Sequence, residues 1–309
     1  MFWLSYVILA LIIIGLIYGY YSDMYLTQVL MIINLVIFIF MFGWELYSPG
    51  MTNYLYHDLA GRAIYLAEFR YLVGRGHSFL SLMFLHAGPM HIFGNIIVLF
   101  FIGVPLEDRV GKKWTLTFYL AAGVIATLGQ YSFNWLQVLF AGASPNVLWI
   151  YNLGASGAVF GIMGSLVFLY PRDRITMIIP PLILPRVRVD LAVGAFIAIQ
   201  TGIALISPQG NVAHAAHFTG FVGGMILGVY AKKVGIKEKS EGPVRDYQRL
   251  EVLVDDEETR EIFEKIMEAD ERDVKEAWSE HLIENSRCPE CDRELDSGEC
   301  KCGFSTWED

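Results

Sequence analysis

Seven stretches of this chain are apolar over enough residues to cross a bilayer: 3–19, 26–44, 79–103, 115–139, 154–170, 188–206 and 213–231. Roughly 20 apolar residues span the hydrocarbon layer as a helix. Only helices and closed barrels satisfy every backbone polar group in lipid, and unbroken apolar runs of this length select helices over alternating strands. The expected fold class is an all-α polytopic membrane protein. Composition agrees, with 54% hydrophobic and 18% charged residues, more apolar than a soluble core requires. The first stretch is apolar almost from residue 2, without a basic segment before it or a clear small-residue cleavage site, and reads as a retained span.

Basic residues orient the spans. Arg109, Lys112 and Lys113 follow the third span, Arg172, Arg174, Arg186 and Arg188 the fifth, and Lys232, Lys233, Lys237 and Lys239 the seventh. The opposite short loops, 140–153 and 207–212, hold no charged residue. The expectation is an integral multi-pass protein of a prokaryotic cell membrane, with its N terminus outside and its C terminus cytoplasmic. The outer segment 45–78 mixes tyrosines with Arg62, Arg70 and Arg75 and is expected to lie in the membrane interface. Residues 1–243 carry 14 Lys/Arg against 10 Asp/Glu, and 244–309 carry 9 against 22. So acidic a tail argues against a nucleic-acid partner, which would need a basic face.

Polar groups inside spans are costly and mark function or helix packing. The fifth span opens Gly154, Ala155, Ser156, Gly157, with Gly161 and Gly164 beyond. The seventh carries His217, Gly220 and Gly224 on one helical face. Small residues at helical spacing let two backbones approach closely, which would bring His217 within reach of Ser156. Ser156 is then a nucleophile and His217 its base. No carboxylate lies at that depth, so a dyad is implied. The plainer reading makes Ser156 packing glue that bonds its own backbone. The third span opens with His86, and His91 and Asn95 follow one turn apart, with His86 about 140° around that helix from His91. His91 and Asn95 could donate to an oxyanion, or simply bridge helices. His86, His91, His214 and His217 as metal ligands would ordinarily need a nearby acid, and the outer half of these spans has none. A transporter would show charged or broken midplane helices.

Four segments, FLHAGPMHIFGN (84–95), GVPLEDRVG (103–111), GASGAVFG (154–161) and AHAAHFTGFVGG (213–224), make the chain resemble the rhomboid intramembrane serine proteases over residues 26–231. The resemblance implies a six-helix rhomboid-like core, residues 25–233, plus one extra N-terminal transmembrane helix, residues 1–24. It implies Ser156 as nucleophile, His217 as general base and later acid, and His91 with Asn95 around the oxyanion. His86 would be structural, as would Gly154, Gly157, Gly161, Gly220 and Gly224, and Glu107 with Arg109 would be a structural polar pair. Catalysis would need no cofactor. The implied substrates are single-pass membrane proteins, cut in or near the outer part of their transmembrane helices, where small and helix-weakening residues let a peptide bond extend. The alternative is a catalytically inactive rhomboid-like protein that binds membrane clients. Three positions depart from the family: His77 and Ser78 stand where it often has Trp and Arg, and Phe160 brings a ring without a hydroxyl to the place that packs on the imidazole.

Beyond a linker, 234–254, residues 255–286 read as two short acidic helices. Ile262, Ile266 and Met267 form one apolar stripe, and Val274, Trp278 and Leu282 another. The last module, 287–309, holds all four cysteines, Cys288, Cys291, Cys300 and Cys302. Two close pairs suit tetrahedral thiolates, and so short a module has little other core. The expectation is a zinc-ribbon-like module with structural zinc, the alternatives being a redox pair or iron, in a tail positioned to meet a cytosolic protein partner.

Overall fold

The computed structural model describes residues 1–179, 182–206, 213–236, 246–269, 272–296 and 298–307. The outer loop 207–212, the basic residues Lys237 and Lys239 and the linker residues 240–243 lie outside them. The chain forms two compact units, Met1–Lys239 and Ser240–Asp309.

The first unit is a helical bundle. Helix α1 (Trp3–Tyr21) and helix α2 (Leu26–Tyr47) are apolar on all sides. Leu4, Ile8 and Ile12, four residues apart, are buried in one core with Leu26, Leu30, Ile33 and Ile37 of α2, while Ile13, Ile14 and Ile17 face outward. In water such a surface would be a liability; in lipid it is the expected solvent face. Glu107, itself buried, holds the start of α2 by accepting from the Leu26 and Thr27 amides and the Thr27 hydroxyl at 2.6–2.7 Å.

The outer segment forms α3 (Met51–Leu59), α4 (Phe69–Gly74) and α5 (Ser78–Ser81), with 3-10 turns at Ala63–Leu66 and Leu82–Phe84. Here the structure corrects the third span. Residues 78–84 are short turns, the chain then runs extended, and the long helix begins only at Pro89, a residue suited to a first helical position. This helix, α6 (Pro89–Phe140), is two spans broken at Gly111, whose φ of 71° and ψ of 171° leave the helical region. Helix α7 (Ser156–Leu169), a hairpin of β1 (Arg174–Ile179) and β2 (Leu182–Arg188), α8 (Val189–Ile206) and α9 (His214–Lys233) complete the unit. Among the described residues, and counting the two halves of α6, the core has six longer helices, α2, the two halves of α6, α7, α8 and α9, besides the short α3, α4 and α5, and α1 is the extra one. Helices α1, α2 and α6 are long and apolar enough to cross a membrane.

The second unit holds a 3-10 helix at Tyr247–Leu253, α10 (Glu257–Glu268) and α11 (Arg272–Glu284). Asp256 caps α10 in a reciprocal capping box with Thr259. Two expectations change. Leu250 and Leu253, placed in the linker by sequence, are buried in the core of this unit. Met267 and Val274 are exposed, and Phe263 and Ile283 take their places beside Ile262, Ile266, Trp278 and Leu282. With three elements converging, the apolar faces turn toward a common centre rather than toward each other alone. Leu295, Phe304 and Trp307 of the cysteine module pack on the same cluster.

Candidate functional site

Helices α7 and α9 meet through their glycines. A Cβ on Gly220 would stand 2.3 Å from the Gly157 carbonyl oxygen, and one on Gly224 only 1.9 Å from that of Gly161. Gly161 in turn faces Ala122 of α6. The Ser165 hydroxyl donates across the seam to the Gly224 carbonyl, 2.9 Å away. No residue larger than glycine permits this approach.

The seam carries Ser156 and His217 together: His217 Nε2 lies 2.8 Å from Ser156 Oγ. Ser156 is the first residue of α7, so its N–H is one of the helix-start amides without an intrahelical acceptor. The imidazole stacks on Phe160, with ring centroids 4.3 Å apart and planes 9° from parallel. Ring stacking, in place of a carboxylate, thus sets its orientation. The ring suffices for this packing; the missing hydroxyl plays no part in the contact.

His91 reaches the same place from α6. A Cβ on Gly154 would lie 2.8 Å from His91 Nε2 and 3.8 Å from Ser156 Oγ. Gly154 has φ +127° and donates its N–H to the Leu82 carbonyl, a conformation and a clearance that only glycine supplies. His91 Nδ1 accepts from the Ala87 N–H at 3.4 Å, an arrangement that fits the tautomer with its proton on Nε2, on the Gly154 side. Asn95 Nδ2 donates to the His91 carbonyl at 2.8 Å, so its amide is turned to its own helix.

His86 is not on a helix with His91, contrary to the angular reading. It sits in the extended link before Pro89, buried, its ring edge-on to His91 at 5.0 Å. Tyr56 donates to its carbonyl, and neither ring nitrogen has a partner among the described residues. The place of the absent Trp–Arg pair is served differently. Arg75 Nη1 donates to the His57 and Asp58 carbonyls, and His77 Nε2 to that of Asp58 at 2.8 Å. The outer segment is thereby gripped by His77 itself and by Arg75, three residues before Ser78. At the other end of the bundle Arg109 pairs with Asp173 at 2.9 Å.

Sequence reasoning passed over Gln130. Its Oε1 accepts from the Ala216 N–H, one residue before His217, and its Nε2 donates to Asn134. The signal was present: Thr127, Gln130 and Asn134 recur at i, i+3, i+7 in an apolar span, a polar stripe that must face protein. Gln130 also lines a cavity of about 40 Å³ beside Ser156, with Met83, Ala126, Asn152 and Gly154.

In the tail, one sulfur each of Cys288, Cys291, Cys300 and Cys302 lies within 4.8 Å of all the others. Tight turns position them: Cys288 N–H donates to the Arg293 carbonyl and Cys300 N–H to that of Phe304. Such a group can hold a metal ion.

The Rhomboid domain family matches residues 74–233, more than half the chain. Rhomboid-related protein 1 of Caenorhabditis elegans is 29% identical over 202 residues, covering 62% of this chain and 51% of its own. Rhomboid-related protein 2 of Mus musculus is 31% identical over 157 residues, 48% of this chain and 46% of its own. Rhomboid protease GluP of Bacillus subtilis is 27% identical over 145 residues, 47% of this chain and 24% of its own. The chain thus spans about half or less of the length of these relatives. Since the matched region covers more than half the chain and holds α6, α7 and α9 with His91, Asn95, Ser156 and His217, this chain is a member of the rhomboid family.

Proposed function

We propose that the protein is an intramembrane serine endopeptidase that cuts single-pass membrane proteins in or near the outer part of their transmembrane helices. The observation that carries this reading is the 2.8 Å contact of His217 Nε2 with Ser156 Oγ at the start of α7. His217 takes the hydroxyl proton as Oγ attacks the peptide carbonyl, and later returns it to the leaving amine. The Ser156 N–H and His91 Nε2–H stabilise the oxyanion, and Asn95 joins them by rotating off its own helix. The cavity beside Ser156 has room for about two water molecules, one of which would hydrolyse the acyl-enzyme. His86 and the glycines at 154, 157, 161, 220 and 224 shape the site without touching reacting atoms. The N terminus and the site end of the bundle face outward and the tail faces the cytoplasm, in keeping with the basic residues at the other end.

The test is the full chain in liposomes with a single-pass substrate bearing small residues near its outer boundary. Ser156→Ala and His217→Ala should each lose cleavage, and a fluorophosphonate should label the wild type and not Ser156→Ala. Either variant cutting at the wild-type rate removes the dyad. A wild type that is neither labelled nor active on a panel of such substrates supports the alternative, a non-catalytic client-binding protein.

For the tail we propose structural zinc. A Zn–S bond of about 2.3 Å in tetrahedral geometry sets sulfurs roughly 3.8 Å apart, within the span from the 3.4 Å Cys291–Cys300 separation to the 4.8 Å limit of the cluster. Four thiolates leave zinc no open position, so the role is structural, and this surface is where a cytosolic partner would bind. A chain purified under reducing conditions without bound metal would remove this proposal.

A further inference from the structure

The β1–β2 hairpin, at the bundle end away from Ser156, has a composition that a hairpin in water does not support. Its sequence between Ile175 and Ile179 and between Leu182 and Leu184 is apolar at odd and even positions alike, with Thr176 the one polar residue. A strand pair with one wet face alternates polar and apolar, and an isolated two-stranded hairpin in water is marginal at best. Ile175 is buried in the bundle, whereas Leu184 and Pro185 are exposed. Open edges exclude the hairpin from the hydrocarbon centre, where unpaired N–H and C=O groups find no partner. The headgroup boundary satisfies both demands.

Charge at the base of the hairpin has a matching arrangement. Residues 171–190 hold four arginines, Arg172, Arg174, Arg186 and Arg188, and two aspartates. Arg174 and Arg188 stand directly opposite in the ladder, so like charges meet at the base of the hairpin. Both aspartates are engaged, Asp173 by Arg109 and Asp190 by Arg188 at 2.6 Å. Lys113 and the pair Lys232 and Lys233 lie at the same end of the bundle, beside the Gly111 break and at the close of α9. Guanidinium groups pair with phosphate through two parallel N–H donors.

We propose that this hairpin is a lipid-binding element: its apolar strands enter the bilayer surface on the face opposite Ser156, and Arg172 and Arg174 at its base bind the phosphates of anionic phospholipids. The partner is the membrane itself, selected by charge complementarity and by continuity with the lipid-facing bundle.

The experiment places a tryptophan at the exposed position, Leu184→Trp, in the full chain. The variant is reconstituted in phosphatidylcholine liposomes with and without phosphatidylglycerol, and its added emission is compared with that of wild type. Quenching by lipids brominated on their acyl chains, stronger with phosphatidylglycerol, and shielding from aqueous iodide are the expected results. Replacing Arg172 and Arg174 together by Gln should lower the phosphatidylglycerol retained per chain, about fivefold for each arginine at low occupancy, while the protein elutes as a single species. Quenching by iodide and not by bromolipid overturns the proposal. So does shielding from both quenchers, which would mean that protein covers the hairpin. Equal bromolipid quenching in neutral and anionic liposomes, with unchanged lipid retention in the arginine variant, overturns the phosphate recognition.

Discussion

Asp58 shows how one buried carboxylate can tie the extra helix to the rest of the bundle. It accepts from the Phe2 N–H at 2.5 Å and the Ser5 hydroxyl at 2.9 Å, both on the α1 side, while Arg75 and His57 approach its other oxygen. Burial pushes its pKa up, but the donated bonds from Phe2 and Ser5 outweigh burial and hold it below the ordinary carboxylate value. A depressed folded-state pKa means stability that is complete above about pH 4, the unfolded value, and lost as pH falls through the folded one. Thermal denaturation in detergent should therefore show an acid-dependent loss in wild type that Asp58→Asn lacks. At neutral pH that variant should already be about 1–3 kcal/mol less stable. Identical pH profiles would remove Asp58 from this role.

At the scale of elements, packing of α7 on α9 decides whether the two site residues meet. Gly224→Ala inserts a methyl group against the Gly161 backbone, which cannot move as a side-chain tip could. Separation of the helices should cost about 1–3 kcal/mol and weaken the Ser165 bond to the Gly224 carbonyl. Cleavage should fall with it, because Ser156 and His217 ride on the two separated elements. Gly43→Ala, where an added Cβ meets nothing within 4 Å, is the matched control and should leave both stability and cleavage intact. Equal behaviour of the two variants, measured by melting in detergent and by substrate turnover, would show that the glycine seam is not what holds the site.

For the whole molecule, two units with separate cores imply separate responses to metal. In the tail, Leu295, Phe304 and Trp307 of the cysteine module complete the cluster built by the 3-10 helix, α10 and α11. Metal bound by the four thiolates would therefore stabilise the helices as well as its own loop. Removal by a strong chelator under reducing conditions should make residues 246–307 sensitive to protease and shift the emission of Trp278 and Trp307. The melting of the membrane unit, whose core is drawn from other residues, should stay where it was. A tail that remains resistant without metal would show that its apolar core suffices alone.

The helical membrane fold class, the cysteine module and the polar residues Ser156 and His217 within apolar stretches were legible in the sequence because each rests on local chemistry. Apolar length, a polar group in lipid, glycines at helical spacing and paired thiols keep their meaning whatever surrounds them. The start of α6 at Pro89 was not legible, since residues 78–84 are as apolar as a span yet turn short, and hydropathy does not distinguish a buried turn from a helix in lipid. His86 was misplaced for the same reason. The grip of Arg75 and His77 on Asp58, the bond from Ala216 to Gln130 and the share of Leu250 and Leu253 in the tail core depend on residues far apart in the chain. The sequence by itself determined that the chain is built of apolar helices and which chemistry its few polar residues can offer. Only the tertiary structure decided the 2.8 Å meeting of Ser156 and His217, because that distance is set by how closely two helix backbones, distant in sequence, can pack.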